Sequence, residues 1–392
     1  MARRPKSESL KYIYNVHTHV FTLAHVPDGF LGFGIVPLAR IPFFAKIIDW
    51  LLRSIRLFTR DDSFDRLAVF ARAAEHKTSR DIFIHMKGYY PYGTKFCALA
   101  VDFEYMGAGK TLDYEVQLQD LAAIKKDQEL GNFILPFIAI DPRRKNLLEI
   151  VHRYVEEYGF RGLKLYPPMG FYPDDPALHP VYAYAQENSL PLIAHCSPGG
   201  VYQKSRITGA IKKKLLEKIG PMPWWERWKW WKVNEHLTAG YTHPDNYVPV
   251  LEKFPRLKVC LGHFGGAQEW DRYMDDSWKP GEEKPYDKSW LAVILDMMQK
   301  YPNLYADIAY TVEAERLLPM ISVLVNNPLF RTRILYGSDC YMVQMDKSER
   351  SFSVNVRGYL GEANFRQIAQ DNPQEFLAPV QDEVHESTDE FE

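Results

Sequence analysis

Eight short apolar runs, each separated from the next by a longer helical or irregular stretch, constrain this chain of 392 residues more than any other feature. They read as strands at Tyr12–Val16, Phe96–Val101, Phe133–Ile140, Gly162–Tyr166, Leu192–His195, Lys258–Leu261, Leu304–Asp307 and Arg333–Tyr336. Most are nearly continuous in Val, Ile, Leu, Phe and Ala. That is the composition of strands covered on both faces, as in a parallel sheet. Helical periodicity fills several gaps, at Glu115–Glu129, at Leu147–Tyr158 with Gly159 as its C-cap, at His243–Phe254 and at Ser289–Lys300. Strand–helix alternation predicts an α/β chain, and eight units fit a closed (β/α)8 barrel better than an open sheet. The expected barrel spans 12–378, between an N-terminal tail at 1–11 and an acidic C-terminal tail at 379–392.

Two connections exceed ordinary loop length, about 20–95 after the first strand and about 199–245 after the fifth. In a barrel both lie over the face where active sites are built. The second carries Trp224, Trp225, Trp228, Trp230 and Trp231, five of the nine tryptophans of the chain. Trp224, Trp225 and Trp228 are candidates for a substrate-pocket wall, which favours a largely apolar or aromatic substrate. The alternative is that the insertions pack on the barrel or on another copy, so a homo-oligomer, most simply a dimer, is expected. Phe43–Phe58, apolar with flanking Arg and Lys, also reads as a membrane-surface helix.

The first strand ends in Asn15-Val-His17-Thr-His19. Residues two apart on a strand share a face, so both imidazoles project toward one point. His195 ends the fifth strand, His263 follows the sixth, Asp339 follows the eighth, and Lys164 lies near the end of the fourth. A barrel gathers these ends into one ring. Nitrogen and carboxylate donors without thiolate suit Zn2+, with Mn2+, Fe2+ or Co2+ as alternatives, as one ion or two. Asp339 doubles as metal ligand and proton acceptor. His263 serves a second metal or acts as general acid. Lys164 has three readings: a carboxylated bridge between two metals, an ammonium that grips substrate, or a buried ion pair.

Several classes are excluded. A net charge of −2 gives no pull toward nucleic acid. No apolar run reaches the length of a membrane span, and no signal-peptide core follows the basic first residues. Cys97, Cys196, Cys260 and Cys340 are scattered without a Cys-x-x-Cys pair, which suits a reducing cytoplasm. Gly107-Ala-Gly-Lys-Thr111 imitates the end of a phosphate loop, but Glu104 stands where its first glycine belongs.

Taken in order, Asn-Val-His-Thr-His, Phe-Arg-Gly-Leu-Lys-Leu-Tyr-Pro-Pro, Leu-Pro-Leu-Ile-Ala-His-Cys, Leu-Gly-His-Phe-Gly-Gly, Asn-Leu-Tyr-Ala-Asp and Ile-Leu-Tyr-Gly-Ser-Asp, closing near Ala-Gln-Asp-Asn-Pro-Gln-Glu-Phe-Leu, run from about residue 12 to 377. This set resembles the amidohydrolase superfamily of metal-dependent TIM barrels, in the branch that includes aminocarboxymuconate-semialdehyde decarboxylase and several lactonases. The resemblance implies metal positions at His17, His19, His195 and Asp339, with Asp339 as proton shuttle and His263 as the strand-six histidine. The chain departs from it at Asn15, where many members have Asp, and at Cys340-Tyr341, where a Pro is often nearby. The expected function is a metal-dependent hydrolase using an activated water on an amide, lactone or ester of a small molecule. A non-oxidative decarboxylase of an aromatic or muconate-type acid is the alternative on the same scaffold, and a degenerate barrel used for binding is the third.

Overall fold

The computed structural model describes residues 12–30, 36–37, 40, 78–222, 224, 230–275, 288–311, 314–340 and 349–378. Eight parallel strands lie in chain order in one sheet: β1 (Tyr14–Thr18), β2 (Lys95–Leu99), β3 (Ile134–Ile140), β4 (Gly162–Leu165), β5 (Leu192–His195), β6 (Val259–Gly262), β7 (Leu304–Asp307) and β8 (Ile334–Leu335). The first and last strands meet where Val16 N donates to Tyr336 O at 2.9 Å and Asp339 N donates to His17 O at 2.8 Å. The architecture is therefore the expected (β/α)8 TIM barrel.

Each strand buries both faces, with apolar residues outward against helices and a smaller set inward. Leu163, Leu165, Leu192, Ala194, Val259 and Leu261 join the outer core. Tyr14, Val16, Cys97, Leu99, Phe137, Ile193, Cys260, Tyr305 and Leu335 fill the interior, closed at one end by Phe376 and Leu377. On β4 the inward position between Leu163 and Leu165 is Lys164, fully buried. An ammonium thus occupies a place that the neighbouring strands fill with apolar side chains. Gly162 faces Phe137, and a Cβ there would stand 2.3 Å from the ring.

The helices follow local signals. α1 (Ser79–Lys87) is N-capped by Thr78, and α2 (Tyr114–Lys126) by Asp113. α3 (Leu147–Glu156) ends before Gly159, which takes φ +70° as its expected terminating role requires. α4 (His179–Glu187) precedes β5. The segment expected to be one helix over His243–Phe254 divides into a 3-10 turn at Pro244–Tyr247 and α7 (Val248–Lys253). Proline at the start of each piece explains the break. In the insertion after β5, α5 (Gly209–Ile219) and α6 (Trp230–Thr242) share a small core of Ile207, Leu215, Leu237 and Tyr241. α8 (Ala267–Met274), α9 (Trp290–Lys300), α10 (Leu318–Asn326), α11 (Glu349–Arg366) and α12 (Asn372–Leu377) complete the chain.

Among the described residues no helix is long and apolar enough to cross a membrane. The segments 1–11 and 379–392, the Phe43–Phe58 stretch, and Trp225 and Trp228 lie outside the described residues. Trp224 is described and strongly exposed, at 76%.

Candidate metal centre

The barrel brings the strand-end residues together, all of them buried. One ligand atom each from His17, His263 and Asp339 lies within 4.8 Å of the others. His19 joins them, its Nε2 standing 3.6 Å from Asp339 Oδ1. His195 reaches the group through His263, with Nδ1 3.0 Å from His263 Nε2. Lys164 Nζ stands 3.2 Å from His17 Nε2.

Three rings have their orientation set by what their Nδ1 meets. His17 Nδ1 donates to Asp307 Oδ2 at 2.9 Å, His19 Nδ1 to Leu99 O at 2.8 Å, and His263 Nδ1 to Ala309 O at 3.0 Å. Each then carries its lone pair on Nε2, the arrangement that fixes tautomers in metal sites, although in this structure Lys164 Nζ meets that of His17 and His195 Nδ1 that of His263. The His195 ring lies between two neighbours, its Nε2 3.2 Å from Gly199 O.

The backbone is bent to serve this arrangement. His263, Phe264 and Asp339 take φ of +66°, +47° and +55°. Such conformations persist where the surroundings over-determine them. Here Asp307 Oδ1 accepts the His263 N–H at 3.0 Å, and Thr311 Oγ1 donates to His263 O. Gly337 makes room for the first histidine, since a Cβ there would lie 2.7 Å from His17 Cβ.

Burial dominates the electrostatics. It holds the His17, His19 and His195 imidazoles well below their usual pKa, with the Lys164 charge adding to the effect, and pushes His263 down to about 4. All four rings are therefore neutral, the form that ligates metal. Burial also raises the Asp339 carboxyl to about 7 against the pull of Lys164, and lowers Lys164 to about 8.

The donor set fits a divalent cation. Asp339 Oδ1 is buried and has no hydrogen-bond partner among the described residues, and such an atom is costly unless a cation or donor meets it. The neutral Nε2 atoms around it are the complementary donors. A cation taken up by His17 competes with Lys164 for the same lone pair. The Lys164 amine then has the Asp307 and Asp339 carboxylates as its charged neighbours.

Beside His19 the site has an aromatic wall. Phe21 lies 6.1 Å from the His19 ring and 5.3 Å from Phe103, and Phe30 packs on Phe103 at 5.9 Å. On the opposite side the Tyr166 ring stands 4.7 Å from His195.

Every site residue expected from sequence at a strand end is in this cluster. Asp307 belongs to it without having been assigned a role from the sequence, although it closes a strand as the others do. Cys196 and Cys340 adjoin site residues and are buried, unbridged thiols.

A parallel eight-stranded barrel with imidazole and carboxylate groups at its strand ends defines a class of metal-dependent catalysts. The sequence matches the Amidohydrolase family over residues 17–378, and the chain belongs to that family. No curated relative matches it. Among solved structures it is similar to an uncharacterised TIM-barrel protein from Bordetella bronchiseptica, with 16% identity, TM-score 0.49, and 93% of this chain and 98% of that one covered. It is similar to 4-oxalomesaconate hydratase from Rhodopseudomonas palustris, with 13% identity, TM-score 0.47 and coverage of 93% and 95%. An amidohydrolase from Mycobacterium avium subsp. paratuberculosis matches at 15% identity, TM-score 0.42 and coverage of 79% and 76%.

Proposed function

We propose that this protein is a metal-dependent hydrolase acting on an amide, lactone or ester carbonyl of a small, largely apolar molecule. The observation that supports it most is the buried, unpartnered Asp339 Oδ1 beside the Nε2 atoms of His17, His19 and His263. In this reading His17, His19 and Asp339 hold one divalent ion, zinc by donor type, together with one imidazole of the His195–His263 pair. When bound, such an ion lowers the pKa of water toward about 7 and polarises a carbonyl. Asp339 accepts the proton of the attacking water at a carboxylate oxygen and returns it to the leaving group. The remaining imidazole of the pair faces the oxygen on which charge develops, and stabilises it where its inward nitrogen carries the ring proton. Phe21 and Phe103 exclude water from one side and favour an apolar substituent.

Metal analysis of the purified protein tests the site, and hydrolysis of a panel of amides, lactones and esters tests the reaction. Close to one equivalent of zinc is expected, abolished by His17→Ala. His195→Ala and His263→Ala should then separate, one losing metal and the other keeping metal while losing turnover by about a hundredfold or more. A protein without metal, or hydrolysis that survives all three substitutions, overturns the reading. Release of CO2 from aromatic acids with no hydrolysis would replace it with the decarboxylase.

A further inference from the structure

Behind the metal ligands lies a second buried group that the proposed chemistry does not use. Asn15, Tyr90, Tyr336, Ser338 and Glu349 are all buried, and Glu349 is fully so. They come from β1, from the segment after α1, from the end of β8 and from the first residue of α11. Asn15 stands two residues before His17, and Ser338 one residue before Asp339.

The direction of the hydrogen bonds follows from the backbone. Asn15 Oδ1 accepts the N–H of His17 at 3.3 Å and of Ser338 at 3.1 Å. Backbone N–H groups only donate, so this atom is the amide oxygen. The Asn15 Nδ2 then donates to the Tyr90 hydroxyl at 2.9 Å and the Ser338 hydroxyl at 2.8 Å. Both hydroxyls have thereby received a donor, and each must direct its own proton to an acceptor. The Tyr90 hydroxyl donates to Glu349 Oε1, and the Ser338 hydroxyl also hydrogen-bonds the Glu349 carboxylate. The Tyr336 hydroxyl, 3.1 Å from that of Tyr90, cannot take this proton as well and donates in turn. One acceptor therefore sets the polarity of the whole network. The network ends on the two backbone N–H groups that place His17 and Asp339.

We infer that Glu349 is a positioning residue: by accepting the Tyr90 and Ser338 protons it orients the Asn15 amide and so holds His17 and Asp339 in register. The inference rests on the metal-site reading above. It explains why Asn15 is an amide. With Glu349 as the carboxylate of the network among the described residues, the group facing those hydroxyls has to donate.

The test uses Co2+ binding to the full chain, read by affinity and by its visible d–d bands, alongside the melting temperature. Glu349→Leu leaves two buried hydroxyl protons without an acceptor and should weaken Co2+ binding about tenfold or more, with altered bands. Glu349→Gln keeps an acceptor oxygen and should stay within about threefold of the parent. Asn15→Asp adds a second carboxylate to the network and should weaken binding. Combined with Glu349→Leu, Asn15→Asp supplies the missing acceptor and should restore binding to within about threefold. Tyr90→Phe, which removes one proton donor and adds no charge, should fall between parent and Glu349→Leu. A packing role alone would lower the melting temperature of Glu349→Leu with unchanged Co2+ affinity and bands, or would leave the double variant no better than the sum of its parts. Either result overturns the inference. Failure of the parent chain to bind Co2+ would instead overturn the metal reading. The melting temperatures of the same set then decide whether Asn15 and Glu349 act as one unit, and simple additivity there overturns that as well.

Discussion

Asp307 holds two histidines of the proposed metal centre at once. Its Oδ2 accepts the Nδ1–H of His17, and its Oδ1 accepts the backbone N–H of His263 and of Ala309. Asp307→Asn should therefore do more than remove a charge. The amide oxygen keeps the two backbone donors, so its NH2 faces His17 Nδ1 and forces that atom to accept. The proton moves to Nε2 and closes the lone pair a metal requires. Zinc affinity, measured against a chromophoric chelator, should fall about tenfold to a hundredfold with little change in fold. Unchanged affinity would show that the His17 tautomer is set elsewhere. The sequence displayed Asp307 at a strand end, as it displayed His195 and Asp339. It did not display the pairing with His17, which is 290 positions away and across the barrel. The roles of Glu349 and Tyr90 were hidden for the same reason: neither sits at a strand end, and only tertiary contacts, Asn15 to Tyr90 and Tyr90 to Glu349, bring them together.

At the scale of elements, the strands were legible because burial on both faces forces a nearly continuous apolar run. β5 and β7 match their expected bounds. β1 does not: the apolar run stops at Val16, while the ladder continues through His17 to Thr18, whose hydroxyl donates to Cys97 O at 2.8 Å. The strand thus extends into its own candidate site residue, His17, and on to Thr18, whose polarity hides it from a hydrophobicity pattern. Glycine at β4 is likewise silent in sequence and decisive in packing. Gly162→Ala would place a methyl group 2.3 Å from the Phe137 ring inside the barrel. Overpacking of this kind costs about 1–3 kcal/mol. The melting temperature should drop by several degrees, and adding Phe137→Leu should recover part of the loss. An unchanged melting temperature for Gly162→Ala would mean that the Phe137 ring has room to move.

Across the whole molecule, the proposed metal ligands come from the ends of β1, β5 and β6 and from the turn after β8, so they span the seam where the first and last strands meet. A metal bound there favours the folded barrel over the unfolded chain by about 2.7 kcal/mol at a hundredfold excess over its dissociation constant. Chelation should lower the melting temperature by a few degrees, and zinc should restore it. The metal-free barrel should also weaken in acid, for a reason that can be signed. In the unfolded chain the imidazoles take protons near pH 6.5. In the barrel, burial holds His17, His19 and His195 well below that value and His263 near 4. Between these limits the unfolded chain binds protons that the folded one refuses, so stability falls as pH falls. Asp339 acts in the opposite sense, because its carboxyl, raised by burial to about 7, takes a proton first in the folded state. Within the metal cluster one carboxyl opposes four imidazoles; elsewhere burial also raises Asp102, Glu269 and Glu349 and lowers His25 and His243, so the share of the cluster is read as the difference between the parent and His17→Ala. Melting curves of the chelated protein from pH 7 to about 4.5 should show the decline, and His17→Ala should show a shallower one. Identical profiles for the parent and His17→Ala would mean that the His17 ring is charged in the folded barrel, and a charged imidazole has no lone pair to offer a metal.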